Sequence, residues 1–437
     1  MEIIVKIGQF LLSLSILIAL HEFGHFFFAR LFKTRVEKFY LFFNPGFSIF
    51  KFKKGETTYG LGWLPLGGYV KISGMIDESM DREQMSKPAK PYEFRAKPAW
   101  QRLLIMLGGV FVNFLLGFLI YAAVLYTWGE DYLPVKNMEH GVVVDSVAAE
   151  AGFKDGDRIV SLDGKEVDRY RDIVTNILLE DVNTVQVKRD GETHSITLPA
   201  QVKKKIIKGD RLFYPRFPFI VGGFGKNSVA KKVGIQKGDK IIKVDTIETQ
   251  MADQLSPALK QYQNREVEIT VLRDGSEKTF DVKLDSTAML GVAFDITNAL
   301  DFEKRHYSFA EAIPAGVSKA YDTGKKYLQQ FKLIFSPETE AYKEVGGFIT
   351  IGKIFPGQWN WQSFWSLTAF LSIMLAILNL LPIPALDGGH VMFLIYEIIT
   401  GRKPGEKFME YAQMTGMFIL LALLIFANGN DILKLFK

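Results

Sequence analysis

His21, Glu22 and His25 stand together in the stretch LIALHEFGHFFFARLF, residues 17–32. In H-E-x-x-H on a helix, histidines at i and i+4 project from one face and can grip one Zn2+ through neutral imidazole nitrogens. The metal lowers the pKa of a coordinated water to roughly 7, so a nucleophile exists near neutral pH. Glu22 is placed to take the proton of that water and pass it to a leaving amine. Gly24 removes side-chain bulk beside the ligands and lets a second backbone approach. The plainer alternative is a histidine pair hydrogen-bonded across a helix bundle. Ionisable groups at membrane depth are costly unless paired or ligated, which favours a shared partner for all three.

A catalytic zinc site needs a third protein ligand and one open position. The chain has no Cys, so thiolates are excluded, and the continuation HExxHxxGxxH is absent because residue 31 is Leu. Asp387, in NLLPIPALDGGH (residues 379–390), is the leading candidate. Two prolines break the helix there and two glycines allow a tight turn, so Asp387 can be turned toward the metal. His390, three residues on, is the rival, with a loop histidine as its plainer reading.

Those residues need elements to position them. A membrane span takes about 20 mostly apolar residues. Residues 7–29, 103–128 and 361–386 meet that length, and 414–427 is a shorter run that can extend through 432–436. The N-terminus lacks the basic start and small-residue cleavage site of a signal peptide. Residues 32–56, between the first two spans, carry six Lys/Arg against two Glu, and GRKPGEK between the last two is also basic. The positive-inside rule sets both in the cytoplasm, leaving the termini and residues 129–360 outside. The net charge of +5 fits such loops, and no Lys/Arg run is dense enough to argue for nucleic acid.

The long outer segment repeats. SVAAEAGFKDGDRIVSLDG (146–164) is echoed by SVAKKVGIQKGDKIIKVDT (228–246) at an offset of 82, and KRDGE is echoed by LRDGS at an offset of 84. VQVKRDGETHSITL and VEITVLRDGSEKTFDVKL alternate and turn on Asp-Gly, so each reads as a hairpin. The pattern A-x-x-x-G-x-x-x-G-D-x-I resembles bacterial PDZ domains, which bind extended peptides by strand addition; a spacer or lid is the alternative. Beyond the repeats, Ile313, Val317, Ala320, Tyr321, Leu328, Phe331 and Phe335 fall at helical spacing. That helix either lies on the membrane surface or packs on the second repeat. The residues between spans one and two, with β-rich runs and Gly67-Gly68 before Tyr69 and Val70, read as a small sheet at the membrane surface. A locally unwound substrate strand can pair with an edge of that sheet; otherwise the sheet only seals the mouth of the site. Gly109, Asn113 and Gly117 fall at i, i+4 and i+8 in span two, a spacing read first as close helix packing.

HEFGH, GWLPLGGYVKISG, GGVFVNFLLG, the paired repeats and NLLPIPALDGGH occur in one order. Together they resemble the site-2 protease family of intramembrane zinc metalloproteases, of the RseP type with tandem PDZ modules. The resemblance covers nearly the whole chain. Span two reads LGGVFVN where the family often has a proline, and GGFITIG stands where GGPIGI is commoner. The fold so implied is a polytopic α-helical membrane protein with about four transmembrane helices, a small membrane-associated β-sheet and two β-rich PDZ domains. Its expected segments are 1–33, span one; 34–99, the cytoplasmic β loop; 100–128, span two; 129–210 and 211–296, the PDZ domains; 297–360, an amphipathic linker; 361–386, span three; 387–412, a cytoplasmic loop; and 413–435, span four. The resemblance implies Zn2+ on His21, His25 and Asp387, with Glu22 as general base. It implies that Asn379 contacts the substrate backbone, and Gly67, Gly68, Tyr69 and Val70 are expected to bind the substrate strand. It further implies a bacterial inner-membrane location, with the site near the cytoplasmic side, the PDZ pair outside, and membrane lipid as surroundings. Single-pass membrane proteins already trimmed outside, such as an anti-sigma factor or signal-peptide remnants, are the implied substrates, with the PDZ pair as a size filter. A catalytically inactive membrane-embedded PDZ adaptor is the competing reading, and intact HEFGH and LDGG argue against it.

Overall fold

The computed structural model describes residues 1–437 apart from 66, 76–87, 338 and 437. The part of the expected 34–99 loop that falls on 66 and 76–87 lies outside the described residues. The chain divides into two compact units, one of Met1–Gly129, His306–Lys332 and Tyr342–Lys437, the other of Glu130–Arg305 and Leu333–Ala341.

The first unit is built on helices. Among the described residues, four are long and apolar enough to cross a membrane. They are Glu2–Leu31, Ala99–Trp128, Trp361–Leu380 and Glu406–Leu435, called spans one to four below. Span two packs against both span one and span three. A Cβ added to Gly24 would lie 2.2 Å from the Gly108 carbonyl oxygen, so spans one and two touch backbone to backbone. Thr368 Oγ1 bonds Ser13 Oγ at 2.9 Å, tying span three to span one.

Span three stops six residues before the expected Leu386. Pro382 and Pro384 have no N–H to donate and clash with the preceding turn. The chain reverses through Ala385 at φ +79° and starts a new helix, Asp387–Thr400, in the stretch expected as a loop. Gly388 and Gly389 are helical here rather than turn-forming. Cβ atoms on them would lie 2.1 Å from Leu381 O and 2.6 Å from Pro384 Cα, so they are needed for packing against the reversed chain. Span four begins at Glu406 rather than 413. Asp431, buried within it, accepts from the backbone N–H of Thr350 at 3.0 Å and from the Thr350 hydroxyl.

The helix Phe309–Ile334 buries Ala312, Gly316, Ala320 and Gly324, four residues apart. A Cβ on Gly316 would lie 2.5 Å from Ala122 N, so this face rests on span two. Of the apolar residues at helical spacing, Ala320 is in this contact, while Ile313, Val317 and Tyr321 are exposed, as a helix lying on a membrane surface would leave them. Small residues win the interface because they let two backbones approach.

A four-stranded sheet follows span one, with β1 Val36–Leu41, β2 Phe50–Lys54, β3 Thr57–Leu61 and β4 Tyr69–Ile72 in the order β2-β3-β1-β4. β1 pairs parallel to β3 and antiparallel to β4, with Phe39 opposite Val70. Val36 and Ile72 join Ala29, Ile105, Met106 and Leu394 in one core, which anchors the sheet to spans one and two and to the helix Asp387–Thr400.

The second unit carries the repeat as two β-rich modules, each with its own core. Both hairpins form, with Asp190-Gly191 and Asp274-Gly275 at positive φ in their turns. The repeated Gly-Asp and Arg-Asp-Gly motifs meet. Arg189 Nε donates to Asp157 at 2.7 Å and Arg273 Nε to Asp239 at 2.6 Å, while each arginine also reaches a carbonyl, Gly152 or Gly234. Burial opposes ionisation of Asp239, but the Arg273 guanidinium and the Gln236 N–H hold its carboxyl below the usual carboxylate range. The 210/211 boundary does not survive. Phe213–Pro215 pairs with Val142–Val144 and closes the first module, because each module is completed by the strand that follows its hairpin. Val292–Phe294 does the same for the second, against Val221–Phe224. Glu303–Arg305, expected in the linker, returns to pair with Glu130–Tyr132.

Candidate metal centre

Span one contributes His21 and His25 from adjacent turns of one face, both buried. The N-terminus of the helix Asp387–Thr400 contributes Asp387. Three atoms converge. His21 Nε2 lies 3.2 Å and His25 Nε2 3.3 Å from Asp387 Oδ2, and the two Nε2 atoms are 3.3 Å apart. A tetrahedral Zn2+ with ligands at about 2.0–2.1 Å separates neighbouring donors by about 3.3–3.4 Å. The triangle thus has the size of one face of such a tetrahedron. Its protons tell the same story. His25 Nδ1 lies 2.9 Å from the Ile105 carbonyl, to which it can only donate, so a neutral ring would present a lone pair from Nε2 to the triangle. Asp387 Oδ2 is buried there without a hydrogen-bond partner. Electron-rich atoms this close need a cation between them. Among the described residues this is the one group of His, Asp and Glu able to hold a metal ion.

A cavity of about 410 Å3 opens beside the triangle. His21, Glu22, His25 and Asp387 line it, as do Gly68, Tyr69 and Val70 with the rest of β4. Glu22 is half-buried at its wall. Gly68 makes that arrangement possible, since a Cβ there would lie 2.6 Å from Ile18 Cγ2 and 3.2 Å from Glu22 Cγ. Gly67 does not line the cavity; its missing side chain makes way for the Phe43 ring. Asn379, on the last turn of span three, sets its Nδ2 3.3 Å from His21 Nε2. His390 lines the cavity outside the triangle, with its Nε2 2.8 Å from Gln413 Nε2.

Two residues read from sequence as packing lie against the histidines instead. Asn113 Nδ2 is 3.2 Å from His21 Nδ1. A Cβ on Gly109 would lie 2.5 Å from His25 Nε2 and 2.6 Å from His21 Cε1. Gly117 does pack, against Ile373. The spacing of four was the visible signal, and it is shared by packing motifs. Gly109→Ala is expected to push both rings off the triangle and lower activity by about 10²-fold, the scale of a 1 Å misplacement. Gly117→Ala meets the Ile373 side chain, with Cδ1 at 2.5 Å and Cγ1 at 2.8 Å, rather than either histidine, and is expected to lose far less. Activity of the two variants, with helix content by circular dichroism, checks this.

Comparison with known proteins adds an independent finding. The model of peptidase family M50 matches residues 9–423. The regulator of sigma E protease of Haemophilus influenzae is 28% identical over 472 aligned residues, spanning 100% of both chains. Proteins carrying the provisional name of zinc metalloprotease in Neisseria meningitidis and Rickettsia conorii are each 29% identical, over 98% of both chains in each case.

Proposed function

The chain belongs to peptidase family M50, and from that membership and the donor triangle we infer an intramembrane zinc endopeptidase, with His21, His25 and Asp387 as metal ligands and Glu22 as general base. The observation that carries this reading is the triangle itself, three buried donors at the edge lengths of a zinc tetrahedron beside a cavity walled by a glutamate. Zinc, when held there, supplies a Lewis acid that polarises the scissile carbonyl and activates water. Glu22 takes the proton of the attacking water and returns it to the departing nitrogen. The Ile105 carbonyl keeps the His25 proton on Nδ1, leaving Nε2 for the metal. Asn379 offers an amide beside the ligands to the substrate backbone. An inactive adaptor would leave this donor set without a task.

A peptide bond within a helix is shielded by its own hydrogen bonds, so the substrate unwinds before it is cut and its freed backbone groups take new partners. β4 stands last in the sheet order and lines the cavity, which supports its role as the strand along which the substrate is laid. Val70→Pro is expected to cripple cleavage while leaving zinc content unchanged. Full activity in that variant would remove β4 from the substrate path.

The substrates on this reading are single-pass membrane proteins trimmed outside the membrane, such as anti-sigma factors, and signal-peptide remnants. The name of the Haemophilus influenzae relative, a regulator of sigma E, supports the first class. The two modules are read as PDZ domains on the outer face of a bacterial inner membrane that filter substrates by size, and the basic loops favour a site near the cytoplasmic side. Mapping the cut in a single-span model substrate tests the reading. The cleaved bond is expected within the apolar span, and cutting confined to its water-exposed flanks would contradict it.

A further inference from the structure

A metal-ligating imidazole gives one ring nitrogen to the metal, and the other carries a proton that needs an acceptor. His25 has its acceptor in the Ile105 carbonyl, 2.9 Å from Nδ1. The neighbour of His21 Nδ1 is the Asn113 side chain, with Nδ2 at 3.2 Å. Asn113 is wholly buried, and its Oδ1 has no hydrogen-bond partner. The two ends of such an amide are told apart only by what they bond. With Nδ2 toward the ring, the amide donates to a lone pair on Nδ1. A neutral His21 then carries its proton on Nε2 and points it into the donor triangle, where it blocks ligation. Rotated by half a turn, the amide sets Oδ1 against Nδ1, accepts its proton and frees the Nε2 lone pair.

We propose that Asn113 is the positioning residue of His21: its side-chain oxygen accepts the Nδ1 proton and fixes the tautomer that presents Nε2 to the metal. The inference rests on the zinc reading given above. Span two supports it by its spacing. Ile105, Gly109 and Asn113 follow at intervals of four on one face, the first serving His25 Nδ1, the second clearing space for both rings, the third facing His21 Nδ1. Ser372 Oγ donates to the Asn113 carbonyl at 2.7 Å and ties that turn to span three.

The test is zinc affinity of the purified full chain in detergent, read by competition with a chelator, for the parent, Asn113→Asp and Asn113→Leu. Asp keeps an acceptor and discards the amide donor; Leu discards both. Asn113→Leu is expected to bind zinc about 10–100-fold more weakly, the usual loss when the outer partner of a metal histidine is removed. Asn113→Asp is expected to stay within about threefold of the parent, as carboxylates serve the same role on many zinc histidines. Zinc loss in Asn113→Asp, or parental affinity in Asn113→Leu, overturns the proposal. Should Asn113→Leu fail to fold, the Asp variant still decides, because a donating amide cannot be replaced by a carboxylate. A parent that binds no zinc overturns the zinc reading itself; a parent that binds it while Asn113→Asp does not overturns only the role of Asn113.

Discussion

Glu22→Gln is expected to keep its zinc and lose cleavage by about 10²–10⁴-fold, the range for removing a positioned general base. The substitution is nearly isosteric and leaves His21, His25 and Asp387 untouched. Glutamine can still hydrogen-bond at the cavity wall but cannot accept a proton there. Zinc content and helix content are therefore expected to match the parent, with the loss confined to turnover. Cleavage of a single-span substrate by parent and variant, alongside metal analysis of the same preparations, checks the separation. A variant that cuts at the parental rate would mean that Glu22 is not the base.

Asp387→Ala is expected to fail one step earlier, by losing the metal. Asp387 Oδ2 is one corner of the donor triangle and has no other hydrogen-bond partner. Its removal leaves two imidazoles to hold an ion that needs three protein ligands for catalysis. After chelator washing and dialysis against trace zinc, the variant is expected to hold almost none, and cleavage is expected at background. His390→Ala is the control, because the His390 ring stands outside the triangle and meets Gln413 instead. It is expected to retain zinc. Zinc loss in His390→Ala with retention in Asp387→Ala would exchange their roles.

How much of this was legible beforehand differs from element to element. The spacing of His21 and His25 on an apolar helix pointed to a shared cation, because a buried ionisable pair needs a partner wherever it sits. Asp387 was reachable because PIPALDGG advertises a broken helix. The new helix Asp387–Thr400 was not, since its first turn depends on Gly388 and Gly389 packing against the reversed chain. Gly109 and Asn113 stand out in the sequence, but their spacing suits packing equally well. A small-residue stripe looks the same whether it admits a backbone or an imidazole, and only the rotation of span two against span one decides. The apolar face of Phe309–Ile334 was legible from its spacing, but the contact with span two was not, since that is made by glycines and alanines whose pattern carries little apolar signal. The strands Phe213–Pro215 and Glu303–Arg305 are three residues long, and pairing with distant partners rather than local pattern makes them strands.

On this reading the cut within a membrane span depends on zinc held by His21, His25 and Asp387. The most direct measurement is cleavage of a single-span model substrate by the purified chain before zinc stripping, after it, and after zinc is returned. Cleavage is expected to vanish with the metal and to return with it at the same bond. Undiminished cleavage by the fully stripped protein would contradict the account.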